Sequence, residues 1–343
     1  MKRIAIEEAF VTQEIADAWA KVLANGAPGE PGFRKMGETI LADSPGTRLI
    51  HERLTDLGAG RIAHMDDTGI AMQVISITSP GVQVFAADLA TALAQQANDQ
   101  LSEAVKTYPD RFAGLTAVAP QAPTAAAKEI ERGAQQLGLR GVLINSHTFG
   151  EYLDDPKYWE IFAAAEANNA PIYLHPRTPS PAMIAPFLDY GLYFAGWGFT
   201  IETATHALRL IMSGVFDRFP RLKIILGHMG EGLPYWLQRL DNRYLLQVKI
   251  GAVQKMPRLP SDYFKDHFVI TTSGVCSPPA LRHALDVLGS DAVLFAADYP
   301  YESVAEAVDF MDNASIADED RHKIYQTNAE KLFNLTKERV YGG

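Results

Sequence analysis

Short apolar runs alternate along this chain with longer stretches of helical periodicity. The runs fall at residues 3–6, 72–78, 112–118, 141–144, 171–174, 222–226, 268–271 and 293–296. Nearly every position within them is apolar, the pattern of a strand buried on both faces. Between them, apolar residues recur at three- and four-residue spacing over 49–68, 87–108, 122–137, 159–168, 202–216 and 279–288, which predicts amphipathic helices. Eight strands separated by helices predict an α/β fold, a (β/α)8 TIM barrel, with the doubly wound open sheet as its rival. No G-x-G-x-x-G opens the first helix, which counts against the rival. Two stretches exceed a bare barrel: a Gly/Pro-rich insertion at 26–48 and a long connection at 247–261. No repeat or linker divides the chain, so residues 1–343 are expected to form one decorated domain.

Polar residues at the ends of the apolar runs carry the candidate chemistry, because barrel enzymes build their sites at the carboxyl ends of strands. The first run leads into Glu7-Glu8, the fifth into His175, the sixth into His228 and the eighth into Asp298. Alone, each has a bland reading: a carboxylate after a strand often caps a helix, and a lone histidine is often a bonded core residue. Four at equivalent strand ends converge on one axis and suit a divalent ion that takes imidazole nitrogen and carboxylate oxygen, zinc or manganese. Strand alternation turns Glu8 away from Glu7, toward the helices. His147 and His206 are intermediate cases, while His51, His64, His267, His283 and His322 sit in helical or strand-entry contexts. No H-x-H follows the first strand, where Ala9 stands, and the fourth strand ends in Asn145-Ser146 without a bridging lysine. A two-metal site is therefore disfavoured. G-x-S-x-G and the P-loop are absent as well.

Composition narrows the setting. Of 343 residues, 47% are hydrophobic and 21% charged, enough for a full core. The net charge of −10 and the lack of a basic stretch argue against nucleic acid, though a few local arginines can still receive a small anion. Cys276 is the only cysteine, which rules out an intrachain disulfide and a Cys-rich zinc site. It is expected to be a buried thiol rather than a nucleophile. The start, MKRIAIEEAF, meets a Glu pair too early for a signal-peptide core, and no apolar run reaches the roughly 18 residues of a membrane span. A cytoplasmic protein without membrane contact is the expectation.

Several motifs add a resemblance: IAIEEAF at the start, SPGVQ (79–83), YPDRFAG (108–114), INSHT (144–148), YLHPR (173–177), GVFDRFP (214–220), GHMGEGLPYWLQRLD (227–241) and ADYPYE (297–302). Over essentially its whole length the chain resembles the amidohydrolase-superfamily branch of metal-dependent, non-oxidative aromatic acid decarboxylases. INSHT and LPYWLQRLD make it most like the 5-carboxyvanillate type, and it is also similar to the 2,3-dihydroxybenzoate and γ-resorcylate types. The resemblance implies one divalent ion, Mn2+ or Zn2+, held by Glu7, His175 and Asp298. It implies Asp298 as the acid that protonates an ortho-hydroxybenzoate at its carboxylate-bearing carbon. His228 would tune that proton or be a fourth ligand. Arg48, Arg239 and Tyr301 would contact the small aromatic carboxylate, Arg239 from a neighbouring subunit of a homodimer or homotetramer. The competing reading is a mononuclear hydrolase of a lactone or amide on the same barrel.

Overall fold

Apolar runs this short cannot satisfy their backbone groups alone, and here they do so by pairing side by side, all in parallel. The computed structural model describes residues 1–40 and 42–335. The strands are β1 (Ile4–Phe10), β2 (Met72–Ile77), β3 (Phe112–Gly114), β4 (Thr116–Ala117), β5 (Val142–Asn145), β6 (Ile172–His175), β7 (Ile224–Leu226), β8 (Phe268–Thr271) and β9 (Val293–Leu294). The third apolar run supplies both β3 and β4. At its middle, Leu115 N–H still bonds Ile75 O of β2, whereas Thr116 N–H bonds Gly141 O on the other side. The stave thus changes neighbours at one residue. Ile6 bridges in parallel to Ala296, and its N–H reaches Phe295 O at 3.1 Å, joining first stave to last. The closed sheet has eight staves in sequence order and is a (β/α)8 barrel.

Helices clothe the barrel much as the periodicity predicts, with instructive breaks. The segment 49–68 is two helices, Pro45–Thr55 and Ala59–Thr68, interrupted where the Asp56 carboxylate accepts from Gly58 N–H at 2.7 Å. Such an Asx-type bond competes with helix continuation. The 202–216 segment begins earlier, as Gly198–Met212, and restarts as Val215–Arg218 past Gly214, whose φ of 85° ends the first helix. The Gly/Pro-rich insertion is partly helical: Pro31–Ile40 starts on a proline and buries Phe33 and Met36. Arg177, on the loop after β6, pairs with Glu30 of this insertion, both fully buried, and its other amino group donates to His147 O at 2.9 Å. The insertion is thereby tied to the strand that carries His175.

The first strand runs further than its apolar pattern predicts, through the Glu pair to Phe10. A bulge accommodates this. Ile6 pairs with Val74 and Glu8 with Ile75, so Glu7 is the extra residue, at φ 75°.

Candidate active site

The bulge matters because it turns Glu7 into the polar end of the barrel. There its carboxylate meets the ends of β6 and β7 and the segment after β9. Glu7 Oε1 lies 3.5 Å from His175 Nε2 and 3.8 Å from His228 Nε2, and His228 Nε2 lies 3.8 Å from Asp298 Oδ2. Glu7, His228 and Asp298 all have left-handed backbone, at φ 75°, 50° and 57°. Non-glycine residues in that region carry strain, which collects at functional positions. Gly227 leaves the necessary space: a β-carbon there would sit 2.9–3.1 Å from both Glu7 oxygens and the Tyr173 hydroxyl.

Hydrogen bonds settle which atoms face the centre. His175 Nδ1 donates to Pro176 O at 2.8 Å, since a carbonyl can only accept, so the proton sits on Nδ1. Burial pushes this imidazole down to about 4, so at neutral pH Nε2 presents a lone pair toward Glu7 Oε1. That oxygen is buried and has no hydrogen-bond donor. The other oxygen, Oε2, is taken by the hydroxyls of Tyr173 and Thr271. Burial raises the Glu7 carboxyl to about 7, so a cation between this oxygen and the His175 lone pair would offset the cost of keeping the carboxylate charged, and a ligating histidine held through its other ring nitrogen is the usual arrangement. The residues thus fit a divalent ion bound through His175 Nε2 and Glu7 Oε1, with Asp298 alongside. Among the described residues no three His, Cys, Asp or Glu side chains are drawn together as a finished metal cage; the fit rests on the facing pairs.

His228 has a different character. Burial alone would lower its pKa, but the carboxylates of Glu7, Glu231 and Asp298 outweigh burial and hold it well above the ordinary value. Its Nδ1 bonds Glu231 Oε1 at 2.8 Å. A charged imidazolium carries a proton on each nitrogen, so Nε2 here is a donor beside Asp298 rather than a free lone pair. Glu8 faces the other way, accepting from Gln73 Nε2 at 2.9 Å and Ala297 N–H at 3.1 Å. Burial raises its carboxyl to about 8.

The remaining sequence candidates separate clearly. Tyr301 stands half-exposed at the mouth, its hydroxyl 2.7 Å from Thr78 Oγ1. Arg48 is exposed and pairs with Asp43, and Arg239 is exposed on the helix Leu233–Lys249. The chain by itself brings neither arginine to the donor cluster. Cys276, expected to be buried, is exposed, because the chain leaves the barrel at Gly274 before reaching it. His147 and His206 are buried and bonded: Leu153 N–H donates to His206 Nε2 at 3.0 Å and Gly150 N–H to His147 Nδ1 at 3.1 Å. A surface hollow of about 440 Å³ lies by Pro171, Lys223 and Lys331, toward the opposite ends of the strands. Sequence reasoning missed Tyr173, Thr271 and Glu231. Tyr173 carried a signal, since it is two residues before His175 and shares its face of β6.

The family model for amidohydrolases matches residues 16–335. Gamma-resorcylate decarboxylase of Polaromonas sp. (strain JS666) is 39% identical, over 98% of this chain and 99% of that protein. Among solved structures, 5-carboxyvanillate decarboxylase from Sphingomonas paucimobilis superposes with a TM-score of 0.92 at 44% identity, covering 98% of this chain and 99% of that one. The 5-carboxyvanillate decarboxylase from Novosphingobium aromaticivorans, complexed with manganese and 4-hydroxy-3-methoxy-5-nitrobenzoic acid, gives 0.94 at 43% identity, over 97% and 96% of the two chains.

Proposed function

This chain belongs to the amidohydrolase family, and on that premise we propose that it is a metal-dependent, non-oxidative decarboxylase of an ortho-hydroxybenzoate. The observation that carries the reading is the unpartnered Glu7 Oε1 facing His175 Nε2, with the His228–Asp298 pair beside it. One Mn2+ or Zn2+ held by Glu7, His175 and Asp298 would bind the carboxylate and phenol oxygens of the substrate and favour the phenolate.

The side chains then do the proton work. Asp298 takes a proton from the facing His228 Nε2–H and delivers it to the ring carbon bearing the carboxylate. The bond from that carbon to the carboxylate breaks, its electron pair returns to the ring, and carbon dioxide leaves. His228, fixed by Glu231 on Nδ1, faces Asp298 Oδ2 with Nε2–H and restores the proton. Tyr301, at the mouth, contacts the ring substituents. Arg48 and Arg239 are the cations for the remaining anionic oxygens.

The exposure of both arginines supports an assembled enzyme. Arg239 lies in a groove of about 570 Å³ shared with Trp197, Tyr235 and Trp236, which are 50%, 73% and 49% exposed. So many bare aromatics on one face mark a protein contact. A homodimer or homotetramer joined there would offer Arg239 to the neighbouring subunit's pocket. Among the described residues no helix is long and apolar enough to cross a membrane; the single cysteine supports a cytoplasmic setting.

The test is carbon dioxide release from a panel of ortho-hydroxybenzoates, including 5-carboxyvanillate, 2,3-dihydroxybenzoate and γ-resorcylate. Release from at least one member with no lactone hydrolysis is expected. Lactone or amide hydrolysis without carbon dioxide release would establish the hydrolase instead.

A further inference from the structure

The phenol of Tyr173 is fully buried in the barrel and takes no part in the proton steps above. Its hydroxyl donates to Glu7 Oε2, and Thr271 Oγ1 donates to the same oxygen at 3.2 Å. Glu7 Oε1 has no donor and faces the His175 and His228 nitrogens. A carboxylate has two equivalent oxygens, and on a divalent ion it can use one or both. Here the two are made inequivalent by the fold. Each hydroxyl bond draws electron density from Oε2 and holds it turned into the barrel.

We propose that Tyr173, seconded by Thr271, is a positioning residue that restricts Glu7 to one-oxygen ligation through Oε1. The inference rests on the reading of Glu7 as a metal ligand. Three features of the chain support it. Tyr173 and His175 share one face of β6, with ring centroids 5.9 Å apart, so one strand supplies both a ligand and the clamp on the opposing ligand. Gly227 keeps the contact point clear, since any larger residue would press on both Glu7 oxygens and the phenol. Glu7 itself stands on a bulge without a strand partner, so its backbone lacks the pairing that would otherwise hold it. The side-chain clamp replaces that restraint. For the reaction, a one-oxygen Glu7 leaves coordination positions to a substrate that chelates through two oxygens, so loss of the clamp falls on KM more than on kcat.

The measurement is Mn2+ affinity of metal-depleted protein, followed by loss of the six-line paramagnetic resonance signal of aqueous Mn2+. Wild type is compared with Tyr173→Phe, Thr271→Val, the double variant, Glu7→Gln as the ligand reference, and Tyr158→Phe. Tyr158 is an equally buried tyrosine whose hydroxyl bonds Glu151 at 2.6 Å, away from the site. Tyr173→Phe is expected to weaken Mn2+ binding roughly 10- to 100-fold and Tyr158→Phe less than about twofold. The double variant should fall short of the summed single effects, because both hydroxyls act on one oxygen. A folded Tyr173→Phe that binds Mn2+ within about twofold of wild type overturns the proposal. If Tyr173→Phe does not fold, Thr271→Val decides, and unchanged affinity there overturns it. Wild type and Glu7→Gln binding alike would instead overturn the ligand reading beneath it, a different pattern from tight wild type, weak Glu7→Gln and tight Tyr173→Phe.

Discussion

Glu7 Oε1 and His175 Nε2 face each other across 3.5 Å, the oxygen buried without a hydrogen-bond partner and the nitrogen opposite the one that donates to Pro176 O. A divalent cation between them would take both atoms and hold the buried Glu7 carboxyl, raised to about 7, in its charged form. Removing metal with a chelator should therefore abolish turnover, and about one equivalent of Mn2+ or Zn2+ per chain should restore it. Elemental analysis of the active protein checks this; two stoichiometric metals, or full activity after chelation, would contradict it.

In the proposed reaction Asp298 moves the proton. Asp298→Asn should reduce carbon dioxide release by at least about 100-fold while the protein remains folded. Retention of metal by that variant, measured by elemental analysis, separates loss of the acid from loss of the site. Near-normal turnover would remove Asp298 from its role.

The groove beside Arg239 makes a prediction about assembly. Trp236→Glu should shift the mass measured by light scattering toward the monomer, because a charge in an apolar contact lacks a partner there. Arg239→Ala, in contrast, should leave the assembled mass unchanged and raise KM. A monomeric wild type with full activity would remove Arg239 from the site.

Arg177 and Glu30 form a buried ion pair between the insertion and the loop after β6. Arg177→Met leaves Glu30 uncompensated, so a loss of about 3–5 kcal/mol is expected. The double change Arg177→Met with Glu30→Gln should recover part of it, as read by urea denaturation.

His206 gives a pH signature. Burial pushes its imidazole down to about 3, against about 6.5 for an unfolded histidine. Its neutral form therefore stabilises the fold fully above about pH 6.5, and that contribution declines as pH falls toward 3, with proton uptake on unfolding. Buried Glu8, raised to about 8, has the opposite sign: its folded form binds the extra proton, so its contribution grows as pH falls below 8. The two partly cancel in wild type. The readout is the difference between wild type and His206→Gln in urea midpoint from pH 7.5 to 5, with the variant losing less on acidification.

Much of the fold was written in local pattern. A run such as 141–144 or 293–296 is apolar at every step, the pattern of a strand buried on both faces. The polar residue ending each run was legible for the same reason, since it interrupts the pattern where the strand leaves the core. What local pattern does not encode is how separate elements meet. The division of the third stave at Leu115 depends on which neighbour each N–H reaches. The exposure of Cys276 depends on where the chain turns out after Thr271.

At the site the division is sharper. Sequence alone determined the donor types, Glu7, His175, His228 and Asp298, and the barrel ends that carry them, because strand periodicity and chain order are local properties. Only the tertiary structure decided their states. Glu7 turns inward through a bulge defined by β2, and its two oxygens differ because Tyr173 and Thr271 come from β6 and β8. His228 is held well above its ordinary pKa because Glu7 and Asp298, from the two ends of the chain, join the neighbouring Glu231 around it, while His175, of the same residue type, is pushed down by burial. Protonation and donor direction are set by neighbours in space, and those neighbours exist only once the barrel has closed.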